Sequence, residues 1–140
     1  MKKKCFDDLL FTLMKIVILI FIYAIILHYF KLNDPLLYKA NIDYLSSYIN
    51  GWCLTHFLAF AYVGYQYPKC FEEAMILGII WEIFEFTLGE VIPIISPTLA
   101  KSIYPDFTTF YYGRYEDIIM NFLGFMVGKF IYEFMNPEER

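Results

Sequence analysis

The chain has 140 residues, of which 59% are hydrophobic and 21% aromatic, and its mean hydropathy is +0.49. Soluble domains need more surface charge than this. Eleven Lys and Arg against fifteen Asp and Glu give a net charge of -4, so no basic field is available for a nucleic-acid partner.

Residues 1–8 form a basic N-terminus carrying Lys2, Lys3 and Lys4. An apolar run follows, Leu9–Phe30. It is longer than a signal-peptide core and lacks a small-residue cleavage site, so it reads as a membrane anchor. Lys15 near its start can snorkel toward the headgroups. Three more spans follow at Ile49–Tyr67, Ala74–Ile92 and Asp117–Met135. Each is long enough as a helix, at ~1.5 Å per residue, to cross ~30 Å of hydrocarbon. In lipid the backbone must satisfy its own hydrogen bonds, which selects helices. The expected fold is therefore all-α, an integral membrane bundle of four transmembrane helices over residues 9–135 with a short tail at 136–140. Residues 68–73 read as a tight hairpin, 31–48 as a polar loop, and 93–116 as a longer loop broken by prolines.

Lysine placement favours N- and C-termini on the cytoplasmic side, by a slight bias. Cys5, Cys53 and Cys70 are odd in number and lack metal-type spacing. They read as free thiols rather than a disulfide framework, with Cys5 placed where palmitoylation occurs. Lys129 and Glu133 are spaced to pair on one helix face. Trp52 and Trp81 read as belt and packing residues.

The third span carries two acids in "GIIWEIFEF", Glu82 and Glu85. With Gly78 and Gly89 they fall on one helical face; Asp117, Asn121, Gly124 and Gly128 do the same on the fourth. Small residues permit close approach in lipid, so these two faces are expected to meet. Depth agrees. At ~1.5 Å per residue, His56 and Asn121 lie roughly 9 Å from the outer end, Glu85 roughly 10 Å and Glu82 roughly 15 Å. Glu90 and Arg114 fall near the mouth of an outward-opening pocket. Two unpaired acids at that depth would cost ~5–7 kcal/mol on insertion scales. They are therefore protonated, paired, hydrated or metal-bound. Carboxylates from Glu82, Glu85 and Asp117 with the Asn121 carbonyl suit Ca²⁺ or Mg²⁺, whereas a lone His disfavours zinc. The alternative is structural glue, with neutral acids bonded to His56, Asn121 or Arg114.

"HFLAFAYVGY" from His56, "EIFEF" from Glu82 and "GRYEDIIMNFLGFMVG" from Gly113 resemble the VanZ-like family of small integral membrane proteins. That family's pattern falls here on His56, Glu82 or Glu85, Arg114, Asp117, Asn121, Gly124 and Gly128. The resemblance covers about residues 50–130 and omits the first span. The same segment is similar in part to base-exchange phosphatidylserine synthases through Trp81, Glu82 and Glu85. That similarity implies calcium-dependent exchange of a phospholipid headgroup around the His and the acids. A Trp-Trp-Asp element of those enzymes is replaced here by "YYGRYED", leaving Glu116 or Asp106 to stand in for its acid.

The function expected is transfer or exchange of a phospholipid or lipid-linked phosphate headgroup. The catalytic candidates are His56, Glu82, Glu85 and Asp117. His56 would be the general base, and Arg114 and Asn121 would hold substrate. Partners are membrane lipid and its phosphate-containing headgroup; homo-oligomerisation stays open. The alternative is a non-catalytic membrane module binding lipid or ion. An ion conduit is weaker, because no polar path continues inward from the acids.

Overall fold

A computed structural model describes residues 2–37, 50–98 and 115–139. These residues are helical almost throughout. Helix α1 spans Lys2–Phe30, α2 Gly51–Gln66 and α3 Phe71–Phe86. A π-helical turn, Thr87–Val91, leads into the short α4, Ile92–Ile95. Helix α5 spans Tyr115–Met135. Arg114 lies outside the described residues, as does the His28 side chain.

Local chemistry accounts for the boundaries. Asn50 caps α2, its Oδ1 accepting from the Cys53 N–H at 3.0 Å, which satisfies one of the helix's orphan donors. Helix α2 stops before Pro68, whose ring disfavours helical geometry in the preceding residue. Glu72 and Glu73 occupy the first turn of α3, where carboxylates complement the helix dipole. The sequence places a loop from Pro93 onward, yet the helical run continues to Ile95. The π turn is the reason. There the Ile92 N–H reaches back to the Thr87 carbonyl, absorbing an extra residue, and Pro93 then sits at the start of α4, where its missing N–H costs little.

The outside of the bundle is apolar and the inside holds the acids. Leu19, Ile83 and Phe130 are 65%, 60% and 65% exposed, whereas Glu82, Asp117 and Asn121 are 5%, 4% and 2% exposed. This inverts the usual distribution, in which acids are almost never fully buried and large exposed apolar patches mark a contact surface. Among the described residues, two helices are long and apolar enough to cross a membrane, α1 over Cys5–Leu27 and α5. Helix α2 departs from the expectation. With 16 residues it is ~24 Å long at the α-helical rise, short of ~30 Å of hydrocarbon.

The closest packing is α2 against α5. An added Cβ on Gly64 would strike the Phe125 backbone, one on Gly124 the Phe57 carbonyl, and one on Gly128 the Ala61 carbonyl. Gly124 and Gly128 thus face α2, not α3 as their spacing with Asp117 had suggested. The 3.6-residue period shows which residues share a face but not which neighbour that face meets. Phe125 is fully buried and meets the Phe71 ring edge-on, with centroids 5.3 Å apart. With Leu9, Phe60, Val63, Ala74 and Leu77 it forms the apolar core.

The cysteine expectation is overturned. Cys5 and Cys70 are disulfide-bonded across 65 residues of sequence, with Cα atoms 5.9 Å apart. Odd number and spacing could not reveal this, because only the fold of α1 onto the α2–α3 turn brings the two together. Cys5 is therefore unavailable for acylation. Cys53 is buried as a free thiol. Thr12 and Tyr67 hydroxyls bond at 3.0 Å near the same end. At the far end Asp34 accepts from Tyr23 Oη at 2.6 Å, Trp52 Nε1 at 2.8 Å and the Leu36 N–H at 2.9 Å. Trp52 is thus a tie between α1 and α2 rather than a belt residue. Lys129 and Glu133 pair at 3.8 Å as their spacing requires, and Lys15 sits 4.3 Å from the centre of the Phe11 ring.

Cys70→Ser should lower stability by roughly 2–4 kcal/mol, the usual range for a native bridge. Melting in detergent with and without reductant checks this: reductant should lower the wild-type midpoint and leave the variant unmoved.

Candidate functional site

Three helices supply the polar centre. Helix α2 brings His56, one turn past Trp52. Helix α3 brings Glu82 and, one turn on, Glu85. The first turn of α5 brings Asp117, with Asn121 one turn further. Asp117 in that first turn lies where the helix dipole favours a carboxylate.

The geometry is tight. One ligand-capable atom from each of His56, Glu82 and Asp117 lies within 4.8 Å of the others. His56 Nδ1 is 3.1 Å from Asn121 Oδ1 and 3.4 Å from Glu82 Oε1. An amide oxygen only accepts, so Nδ1 carries the proton and donates to Asn121. In the neutral ring that leaves the lone pair on Nε2. Asn121 thereby fixes the tautomer of His56. The carbonyl that the sequence reading offers to substrate or a metal faces His56 Nδ1 here.

Glu85 is buried one turn from Glu82 but lies outside the tight group. Asp117 Oδ1 and Asn121 Nδ2 are buried with no hydrogen-bond partner among the described residues. Leaving such groups unmet costs ~1–3 kcal/mol each, more when charged. Gly78 makes room here, since a Cβ would lie 2.9 Å from Phe60 Cζ and 3.1 Å from Asn121 Nδ2. Its place on the acidic face of α3 is explained by this approach. Glu90 lies in the π turn and is exposed.

Neither a protein-family model, nor a characterised protein, nor a solved structure matches this chain. The functional reading therefore rests on the site's own chemistry.

The donor set fits a hard divalent cation. Two buried carboxylates converge with one imidazole, and one carboxylate oxygen, Asp117 Oδ1, has no hydrogen-bond partner among the described residues. Oxygen-rich sets of this kind suit Mg²⁺ or Ca²⁺, and a single nitrogen is too few for a usual zinc site.

Sequence reasoning did not find the cavity beside the centre. A space of ≈ 590 Å³ opens between α1, α2 and α3, with Leu13, Val17, Phe21, His56, Leu77 and Trp81 among its walls. Its volume falls in the ~300–1,000 Å³ range of small-molecule sites. No periodicity in α1 could signal it, because α1 is apolar on every side.

Proposed function

We propose that this chain is a multi-pass membrane protein of the VanZ-like kind. Its His56–Glu82–Glu85–Asp117–Asn121 centre binds a divalent cation and transfers or exchanges the phosphate-bearing headgroup of a membrane lipid. The observation that carries this reading is the convergence of His56, Glu82 and Asp117 within 4.8 Å, inside a bundle whose exterior is apolar. Ionisable groups held inside membrane helices are costly and mark functional sites.

In this reading four helical runs cross the bilayer: α1, α3 with its extension through α4, α5, and the shorter α2, whose ~24 Å is met by local thinning of the bilayer. The termini then share one side. The Cys5–Cys70 bridge lies on that side and persists only in an oxidising compartment. This outweighs the slight lysine bias, so the bridged end faces away from the cytoplasm, opposite to the expectation from Lys2–Lys4. Impermeant maleimide added to intact cells should label Cys5 and Cys70 only after reduction. Labelling confined to broken cells would restore the lysine-based orientation.

In the reaction, Glu82 and Asp117 would hold the cation beside His56. A divalent cation held there would supply positive charge to offset the charge developing on a phosphoryl oxygen. His56 Nε2, unprotonated in the tautomer set by Asn121, takes the proton of the attacking hydroxyl as that oxygen bonds to phosphorus, and returns it to the departing headgroup oxygen as the old P–O bond breaks. The apolar surroundings exclude water, which strengthens each of these interactions.

A second reading draws support from the His56–Asn121 hydrogen bond: a non-catalytic module in which these contacts only tie α2 to α5. Cation titration separates the two. The wild-type protein should melt higher in millimolar Mg²⁺ or Ca²⁺, by RT ln(1 + [L]/Kd), which is ~2.7 kcal/mol at a hundredfold excess over Kd. Glu82→Gln with Asp117→Asn should remove that increment. A wild-type midpoint indifferent to both ions would favour the structural reading.

A further inference from the structure

The α1 helix is fastened at two places and stands away between them. At one end the Cys5–Cys70 bridge and the Thr12–Tyr67 hydrogen bond hold it to the α2–α3 turn. At the other, the Tyr23 ring meets Trp52 edge-on at 6.0 Å and both donate to Asp34. From Thr12 to Tyr23 is ~16 Å along a helix. Over that stretch Leu13, Val17 and Phe21 share one face of α1 and line the ≈ 590 Å³ cavity. Its rim includes Ile18, Ile80 and Phe84, which are 53%, 53% and 45% exposed. The walls carry no charged side chain other than His56 when protonated.

We infer that this cavity is the seat of one hydrocarbon chain of a phosphate-bearing lipid, which enters sideways between α1 and α3 and brings its headgroup to His56. The inference rests on the functional reading above and names its substrate class. Three observations select this occupant. The His56 ring is both a wall of the cavity and a member of the polar centre, so tail and headgroup positions are continuous. The opening is rimmed by exposed apolar side chains that the membrane reading places in hydrocarbon. Water gains nothing from apolar walls and an empty space forfeits contacts. Charge also matches: an anionic phosphate suits the end where Glu82 and Asp117 gather a cation, and an uncharged chain suits the rest. Helix α1, which lies outside the region of family resemblance, thus becomes the tail-selecting wall.

Val17→Trp tests this by filling the cavity from its lipid-side wall, with Leu19→Trp, on the exposed face of the same helix, as control. Each protein is released from nanodiscs of palmitoyl-oleoyl phosphatidylglycerol and weighed by native mass spectrometry. The wild type and Leu19→Trp should each retain one lipid. Retention by Val17→Trp should fall by about tenfold, equivalent to ~1.4 kcal/mol, while its melting shift in Mg²⁺ or Ca²⁺ persists. Dihexanoyl phosphatidylglycerol, which has the same headgroup, should compete poorly. Equal retention by wild type and Val17→Trp, a wild type that retains none, or a dimer mass in place of bound lipid would overturn the tail seat. A retained lipid with no cation shift in the wild type would keep the seat and reject the cation centre instead.

Discussion

Under the proposed function, His56→Ala should lower headgroup turnover in proteoliposomes by ~10²–10⁴-fold, the usual contribution of a positioned general base, while the protein still inserts and folds. The reason lies in how the ring is held. Nδ1 sits 3.1 Å from Asn121 Oδ1 and 3.4 Å from Glu82 Oε1, so both neighbours act on one nitrogen and the other keeps its lone pair. Removing the ring removes the base and leaves the acids in place. Asn121→Ala is the sharper companion. Without Oδ1 the Nδ1–H loses its acceptor and the ring its fixed orientation, so turnover should fall part of the way towards that of His56→Ala. Leu58→Ala on the lipid-facing side of the same helix is the control. Lipid mass spectrometry before and after incubation reads the result. If His56→Ala kept full turnover, the acid–base assignment would be wrong.

The second large effect is on assembly. Gly128→Leu should destabilise the bundle by ~3 kcal/mol or more, at the upper end for overpacking. The Cβ would lie inside the contact distance of the Ala61 carbonyl. That obstacle is helix backbone, which cannot swing aside as a side chain can. Helices α2 and α5 must separate, and with them His56 and Asn121. Gly124→Leu should act alike through the Phe57 carbonyl. Loss of cation response should therefore accompany loss of stability. Val127→Leu, at a neighbouring exposed position, should change the midpoint little. Melting in detergent micelles with each variant decides, and an unshifted Gly128→Leu midpoint would mean that the two helices do not meet as described.

Much of the site was legible because burying acids in an apolar chain is expensive. Glu82, Glu85, Asp117 and Asn121 stand out in such a sequence for that reason alone, and helical rise placed them near the depth of His56. The hydrogen bond between His56 and Asn121, 65 positions apart, agrees with that depth. Glycine spacing was read correctly as close approach: Gly78 does face Asn121 of α5, whereas Gly124 and Gly128 meet α2 instead of α3. Periodicity orients residues about their own axis and carries no information on the partner across it. Arg114, the candidate phosphate grip, belongs to a segment outside the described residues.

What the amino-acid sequence by itself determined was the helical architecture and the identity of the polar residues. Both follow from local composition: continuous apolar runs favour helices in lipid, and each stranded acid needs a partner. The tertiary structure alone decided the α2–α5 seam, the Cys5–Cys70 bond, the tautomer of His56 and the space enclosed beneath α1. Each depends on how separate helices are set against one another. That setting comes from the summed fit of many weak contacts, which no short stretch of sequence displays.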